Sequence, residues 1–285
     1  MSNAVSNQLL GYPPDARLLI LNADDFGMYD EINDAVLAAL SAGVATSTSL
    51  MMPCPSAAGA IAILRNHPEI DFGVHLTVIR DLPDYRYGPL APVAAVPSLV
   101  DSSGDFFTTE QTADFLASAR LEELAIEFRA QIEAALAVGV RPSHLDWHCL
   151  HNGGRADIFD LSFLLAREYG LALRVAGDPY AATVRQRGLP VNDHDLLDSF
   201  RIATQGKAER YAHLLRELPP GLTEWAVHPG RATPAAQALD DGCFVRQADY
   251  EFLTSPEART LIRQEGIVLL SYRRIQEAWR AIRDT

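Results

Sequence analysis

The sequence predicts an α/β protein folded as a (β/α) barrel, closed or slightly irregular, with seven or eight parallel strands inside and helices outside. Three observations predict it. Short apolar runs alternate with amphipathic stretches along most of the chain. Seven or eight β-then-α units in series need crossover helices, which pair the strands in parallel. Four of the apolar runs finish in an acid or a histidine, and α/β enzymes collect their reactive groups at the carboxyl ends of their strands.

Residues 1–16 read as a flexible leader closing on Pro13-Pro14-Asp15, and residues 17–285 as a single domain with no composition break or short repeat. Leu18 to Ala23 is an apolar run suited to a strand buried on both faces. Asp30 to Ala42 places Ile32, Val36, Leu37 and Leu40 at helical spacing, and Gly43 stops it. Thr46 to Met52 is a second strand, Pro55 to Asn66 an Ala-rich helix and Phe72 to Val78 a third strand. Leu121 to Val138 is an amphipathic helix closed by Gly139 and Pro142, and Ser143 to Trp147 is the strand after it. Ile158 to Tyr169 is a helix ending at Gly170, followed by a strand from Leu171 to Val175. The remaining elements are a helix from Arg210 to Leu218, a strand from Leu222 to Val227, a helix from Glu257 to Gln264, a strand from Ile267 to Tyr272 and a last helix from Ile275 towards Ile282.

Three long connections interrupt this rhythm, at residues 79–108, 178–198 and 229–247. Long loops in a compact domain are functional or mobile. The first leaves the strand that carries His75 and holds Tyr85 and Tyr87 among several prolines, so it reads as a lid over the site; the alternative is a disordered insertion.

Bulk properties narrow the function. A formal net charge of −13 with no Lys/Arg run excludes a nucleic-acid binder and favours a neutral or small substrate. The three cysteines, Cys54, Cys149 and Cys243, form no CxxC pair, so no thiolate zinc site or disulfide framework is expected. Neither a basic-then-apolar leader nor an 18-residue apolar stretch is present, so the expected location is the cytoplasm, with no membrane partner.

The four strand ends carry the chemistry. In Asn22-Ala23-Asp24-Asp25-Phe26-Gly27 the two aspartates point to opposite faces of a strand, yet both reach one cavity where the backbone turns. Two carboxylates in different environments can divide labour, one holding a metal and the other taking a proton from water; the alternative is that one caps the next helix. Asn22 would support the pair by hydrogen bonding. His75 in Phe72-Gly73-Val74-His75-Leu76 is either a hydrogen-bonded core residue or a ligand. His144, Asp146 and His148 alternate and so share one side of a strand, beside Trp147. Neutral imidazole suits zinc-like metals, and Asp146 would orient a histidine ring. His151 touches substrate or is solvated. His228, held extended by Pro229, is either placed to give a proton to a leaving group or a surface histidine on a loop. Arg174 would pair with a site carboxylate and keep it charged, or form a structural ion pair.

These motifs, in this order, resemble the YdjC-like family of carbohydrate deacetylases, with Pro97-Ser98-Leu99-Val100-Asp101, Val227-His228-Pro229 and Ser271-Tyr272-Arg273 extending the resemblance over nearly the whole chain. The resemblance implies metal-dependent removal of an N-acetyl group from an amino sugar, on a barrel-like fold, in a protein that is often a homodimer. It places Asp25, His75 and His148 as metal ligands, Asp24 as base and, by a looser analogy with polysaccharide deacetylases, His228 as general acid. It implies magnesium, whereas two imidazoles and a carboxylate suit Zn2+ or a similar ion better. The chain departs from the family after the third motif, where Cys149-Leu150-His151-Asn152 stands in place of a longer alternating histidine run. Two other functions compete: a metal-dependent phosphoesterase on the same kind of barrel, which would want two metals, and a non-catalytic sugar-binding protein. Trp147 and the loop tyrosines are expected to stack on the sugar.

Overall fold

The computed structural model describes residues 4–282. Ten strands run in chain order: β1 (Arg17–Phe26), β2 (Ser47–Leu50), β3 (Phe72–Leu76), β4 (Ile79–Arg80), β5 (Phe107–Thr108), β6 (His144–Trp147), β7 (Ala172–Leu173), β8 (Leu197–Asp198), β9 (Gly221–Val227) and β10 (Val268–Leu269). Eight of them form one all-parallel sheet in the order β7-β6-β3-β2-β1-β9-β8, with β10 alongside the start of β1. Every pairing is parallel because a helix-containing crossover separates successive strands. β7 and β8 end the series, so the barrel is open and irregular.

β1 is the centre of the molecule. It pairs with β9 from Arg17 to Ala23 and with β2 from Asn22 onward, and every residue after Arg17 is buried. Both of its faces are covered, which is what its Leu-Leu-Ile-Leu run requires. The long outer helices, Asp30–Ser41, Ala57–Asn66, Leu121–Ala137, Ala156–Tyr169 and Tyr272–Ala281, each bury an apolar stripe. One contiguous core runs from Leu10 to Trp279.

Several expectations need correcting. The segment expected to be a flexible leader contains a helix, Val5–Leu10, whose Ser6 and Asn7 are fully buried; residues 1–3 lie outside the described residues. Asn7 Nδ2 donates to the carbonyls of Pro13 and Ala16, and Ser6 Oγ to that of Val191. Their partners are backbone groups, which no sequence pattern marks, so the leader gave no sign of burial.

The connection at 79–108 is packed: β4 pairs with β5, and Val96, Leu99 and Phe106 are completely buried. The stretch at 178–198 holds a helix, Tyr180–Gln186, and β8. Residues 229–247 include a helix, Pro234–Leu239, and the start of another, Cys243–Leu253. Thr233 caps the former, its hydroxyl accepting from Ala236 N at 3.2 Å, and Pro234 fills the first helical position, where a missing N–H costs nothing.

Candidate active site

Adjacent strand residues should face opposite ways, yet Asp24 and Asp25 both line one cavity. The β1/β2 register slips between Ala23 and Phe26, and Asp25 has a left-handed backbone at φ 68°. That bulge turns the second aspartate back towards the cavity. The turn is pinned beyond it, where Gly27 N donates to Asn33 Oδ1 at 2.7 Å.

Three donor atoms from three strand ends then converge. Asp25 Oδ1 lies 3.3 Å from His75 Nε2 and 3.1 Å from His148 Nδ1. With metal–ligand bonds of about 2.0–2.2 Å, neighbouring ligand atoms stand roughly 3.0–3.5 Å apart, so this trio has the spacing of one coordination sphere. Each ring is aimed from behind. His75 Nδ1 lies 2.8 Å from Asp146 Oδ1, so that nitrogen carries the proton and Nε2 presents its lone pair. His148 Nε2 lies 3.1 Å from Asp81 Oδ1, which frees Nδ1 in the same way. Burial would pull both imidazoles towards neutrality, but the surrounding carboxylates win. Asp146 and Asp25 push His75 up to about 9, and Cys149 and Asp81 hold His148 well above the ordinary range. A site that binds protons so readily is built for positive charge. Asp25 itself would be raised by burial, yet Arg246 and the two imidazoles hold it well below the usual carboxylate range. These residues fit a single divalent cation in donor type, spacing and charge.

Asp24 sits beside this trio and is held differently. Arg174 grips it in a fork, Nη1 to Oδ2 and Nη2 to Oδ1, both at 2.7 Å. Asn22 Nδ2 donates to Oδ1 at 2.6 Å. Burial pushes the Asp24 carboxyl up, but Arg174 outweighs it and the group stays below its ordinary value. Oδ1 therefore has both lone pairs engaged by donors, whereas Oδ2 keeps one free. Arg174 also bonds Glu224 Oε1 at 2.7 Å and lies 3.1 Å from Asp146 Oδ2, so one buried guanidinium braces three carboxylates. His228 stands at the end of β9 with Nε2 3.9 Å from Asp24 Oδ2 and Nδ1 2.8 Å from Ser199 Oγ.

The cavity around these groups measures about 630 Å³, within the roughly 300–1,000 Å³ usual for ligand sites. Of the residues singled out in the sequence, Asp24, Asp25, His75, Trp147, His148, His151, Arg174 and His228 line it. His144 does not. It stacks on Tyr272 at 3.7 Å and fills the space that Gly73 leaves, where an added Cβ would lie 2.5 Å from the ring. Trp147 is 5% exposed, with its indole N–H bonded to Ser162 Oγ, so only an edge reaches the cavity. The loop at 79–108 contributes Asp81 to Asp84, but its tyrosines turn away: Tyr87 is buried and Tyr85 hydrogen-bonds Met28 O. The exposed aromatic in the cavity is Phe200.

Sequence reasoning missed Asp81, Glu224, Asp240 and Arg246. Arg246 Nη1 bonds Asp25 Oδ2 and its Nε bonds Asp240 Oδ2, both at 2.7 Å. Glu224 was visible, as a carboxylate inside the apolar strand Leu-Thr-Glu-Trp-Ala-Val. Arg246 had no such signal, because helices carry arginines routinely.

A sequence profile described as YdjC-like protein matches residues 18–264. A carbohydrate deacetylase of Enterococcus faecalis is 30% identical over 268 residues, covering 89% of this chain and 96% of the relative. A carbohydrate deacetylase of Geobacillus stearothermophilus is 29% identical, covering 90% of this chain and 97% of the relative. A chitooligosaccharide deacetylase of Yersinia enterocolitica is 29% identical, covering 90% and 98%. A crystal structure from Enterococcus faecalis, provisionally described as a cellobiose-phosphate cleavage protein, superposes with a TM-score of 0.77 at 29% identity, covering 90% of this chain and 98% of that one.

Proposed function

The chain belongs to the YdjC-like family, and on that premise we propose that it is a metal-dependent hydrolase removing the N-acetyl group from an amino sugar or a short N-acetylated oligosaccharide. One observation carries the reading: Asp25, His75 and His148 converge at coordination spacing while Asp24 and His228 flank them in the same cavity.

Asp25, His75 and His148 would hold the cation, and two nitrogens with one oxygen favour Zn2+ or a similar ion over Mg2+. A bound divalent cation supplies Lewis acidity to the acetamide carbonyl and acidifies a water molecule. Asp24 takes the proton of the attacking water at Oδ2, the oxygen with a free lone pair. Arg174 keeps that carboxyl ionised and fixes its plane, so no reorientation is needed when the proton moves. His228 gives a proton from Nε2 to the departing amine, with its ring set by Ser199 at Nδ1. Asp146 and Asp81 hold the two histidine rings in the tautomers that face Asp25. Arg174 and Arg246, the buried arginines beside the site carboxylates, are already claimed by them, which leaves neither to clamp a phosphate and weighs against the phosphoesterase reading.

The test is acetate release across a panel of N-acetylated mono- and oligosaccharides, using chelator-stripped protein with and without added metals. Release that needs metal is expected. No acetate from any sugar with any metal would refute the proposal, and metal content per chain separates one ion from two.

A further inference from the structure

We infer that Tyr211 and Asp249 are positioning residues for His228: with Ser199 they form a buried hydrogen-bond relay that fixes a proton on Nδ1 and leaves Nε2 as the nitrogen that releases one. The inference deepens the deacetylase reading and rests on it for the acid role of His228. The relay itself is read from hydrogen bonds alone.

The line begins at His228 Nδ1, which lies 2.8 Å from Ser199 Oγ. The Ser199 hydroxyl is bonded to the Tyr211 hydroxyl, which donates in turn to Asp249 Oδ1. Asp249 ends the line and also returns to its start. Its Oδ1 lies 2.8 Å from Lys207 Nζ, and its Oδ2 accepts the backbone N–H of His228 at 2.8 Å. Tyr211 and Lys207 come from the helix Lys207–Arg216, and Asp249 from the helix Cys243–Leu253. Ser199, Tyr211 and Asp249 are completely buried, and Lys207 nearly so. A purely structural ion pair between two helices would account for Lys207 and Asp249. It would not account for one carboxylate reaching both the backbone and, through two hydroxyls, the ring of the same histidine.

Counting protons fixes the direction of the relay. Asp249 Oδ1 faces the Lys207 ammonium, so Tyr211 is the donor to it. Burial and the Asp249 charge push the Tyr211 hydroxyl far above its ordinary range, so that proton stays. A phenol has one proton, and with it given to Asp249 the oxygen can only accept from Ser199. Ser199 also has one proton, and with it given to Tyr211 its oxygen can only accept from His228 Nδ1. The hydrogen bond at one imidazole nitrogen decides which proton the other nitrogen holds. Nδ1 therefore keeps its proton throughout. As the C–N bond of the substrate breaks, the amine nitrogen takes the Nε2 proton and the ring is left neutral, protonated at Nδ1. The line is also rigid. The Tyr211 ring stands edge-on to Trp225 at 4.6 Å and to Phe252 at 5.0 Å, so the hydroxyl is set before any substrate arrives.

The test removes the middle of the relay. Y211F leaves Asp249 its bonds to Lys207 and to His228 N, so the variant should fold and keep its metal, as read by circular dichroism and metal content. With β-linked di-N-acetylglucosamine as substrate, kcat for acetate release is expected to fall by about tenfold at unchanged KM, a part of the roughly 10²–10⁴-fold that an acid–base group supplies. The same substitution made in H228A should change kcat by less than about twofold, because residues that act through one group are not additive. D249N, where it folds, should follow the same pattern. Nitrogen-15 NMR reads the relay without turnover. With the His228 signals identified by their loss in H228A, neutral His228 should carry its proton on Nδ1 in the wild type and on both nitrogens in exchange in Y211F. A wild-type proton on Nε2, equal losses of kcat in the two backgrounds, or a Y211F kcat within about twofold of wild type overturns the inference. The two readings fail separately. No acetate release, with the Nδ1 proton fixed by Tyr211, removes the deacetylation and leaves the relay standing. Acetate release with the proton on Nε2, or with additive losses, removes the relay alone.

Discussion

Replacing Asp146 by Asn separates the aiming of a ligand from the ligand itself. Asp146 Oδ1 receives the proton of His75 Nδ1 at 2.8 Å, while Oδ2 accepts from Ser49 Oγ at 2.5 Å and faces Arg174 Nη2 at 3.1 Å. An asparagine offers one oxygen and one NH2 for these two positions. Arg174 has no acceptor to offer, so the amide oxygen stays on its side and the NH2 turns to His75. That forces the imidazole into the opposite tautomer, with its proton on Nε2, the nitrogen directed at Asp25 Oδ1. Loss of such an outer partner typically weakens metal binding about 10–100-fold. Here both groups are buried, with side chains 3% and 0% exposed, so no water can take over the contact. The upper half of that range is expected, about 30–100-fold, or roughly 2–2.7 kcal/mol at about 1.36 kcal/mol per decade. Competition with a chromophoric chelator at pH 8 measures the affinity, and circular dichroism confirms that the variant folds. A folded Asp146→Asn protein whose metal affinity lies within threefold of wild type would refute the tautomer argument.

Other substitutions and conditions probe the remaining parts. Asp24→Asn should lower kcat by about 10²–10⁴-fold while bound metal stays unchanged; near-normal turnover would remove Asp24 from the chemistry. Without metal, protonated His75 stabilises the folded state, because its folded pKa is raised to about 9 from an ordinary 6.5. That contribution is complete below about pH 6.5 and is lost as pH rises through about 9, so the melting temperature of the stripped protein should fall across that window. A melting curve of the stripped protein that is flat over those values would contradict the assignment. Metal binding should strengthen over the same range, because protons and metal compete for the ring. Gly73→Ala places a Cβ 2.5 Å from a His144 ring that Tyr272 prevents from retreating, and should destabilise by about 1–3 kcal/mol; an unchanged melting temperature would show that the ring has room to move.

Much of the centre was legible because strands advertise their ends. Leu18 to Leu21 can only be a strand, so Asp24 and Asp25 had to stand at its carboxyl edge, and the same logic placed His75, Asp146 and His148. Arg174 could be read as a partner for a site carboxylate for the same reason. What the sequence hid was partners carried by elements that show no pattern of their own. Asp81 follows a two-residue strand too short to show a pattern, and Arg246 lies on an ordinary helix. Tyr85 and Tyr87 misled because composition cannot say which way a loop turns its aromatics. Ser6 and Asn7 misled because polar residues that satisfy backbone groups resemble polar residues in water.

The two guanidinium braces give assembly an order. Asp24 waits for a partner 150 residues downstream, and Asp25 for one 221 residues downstream. As the chain leaves the ribosome, β1 emerges with acids that have nothing to neutralise them; Asp24 must stay wet until Arg174 arrives, and Asp25 until the helix Cys243–Leu253 docks. Catalytic competence is thus among the last properties a nascent molecule acquires, and a chain stopped short of residue 246 would lack the cation that holds the Asp25 carboxylate in position.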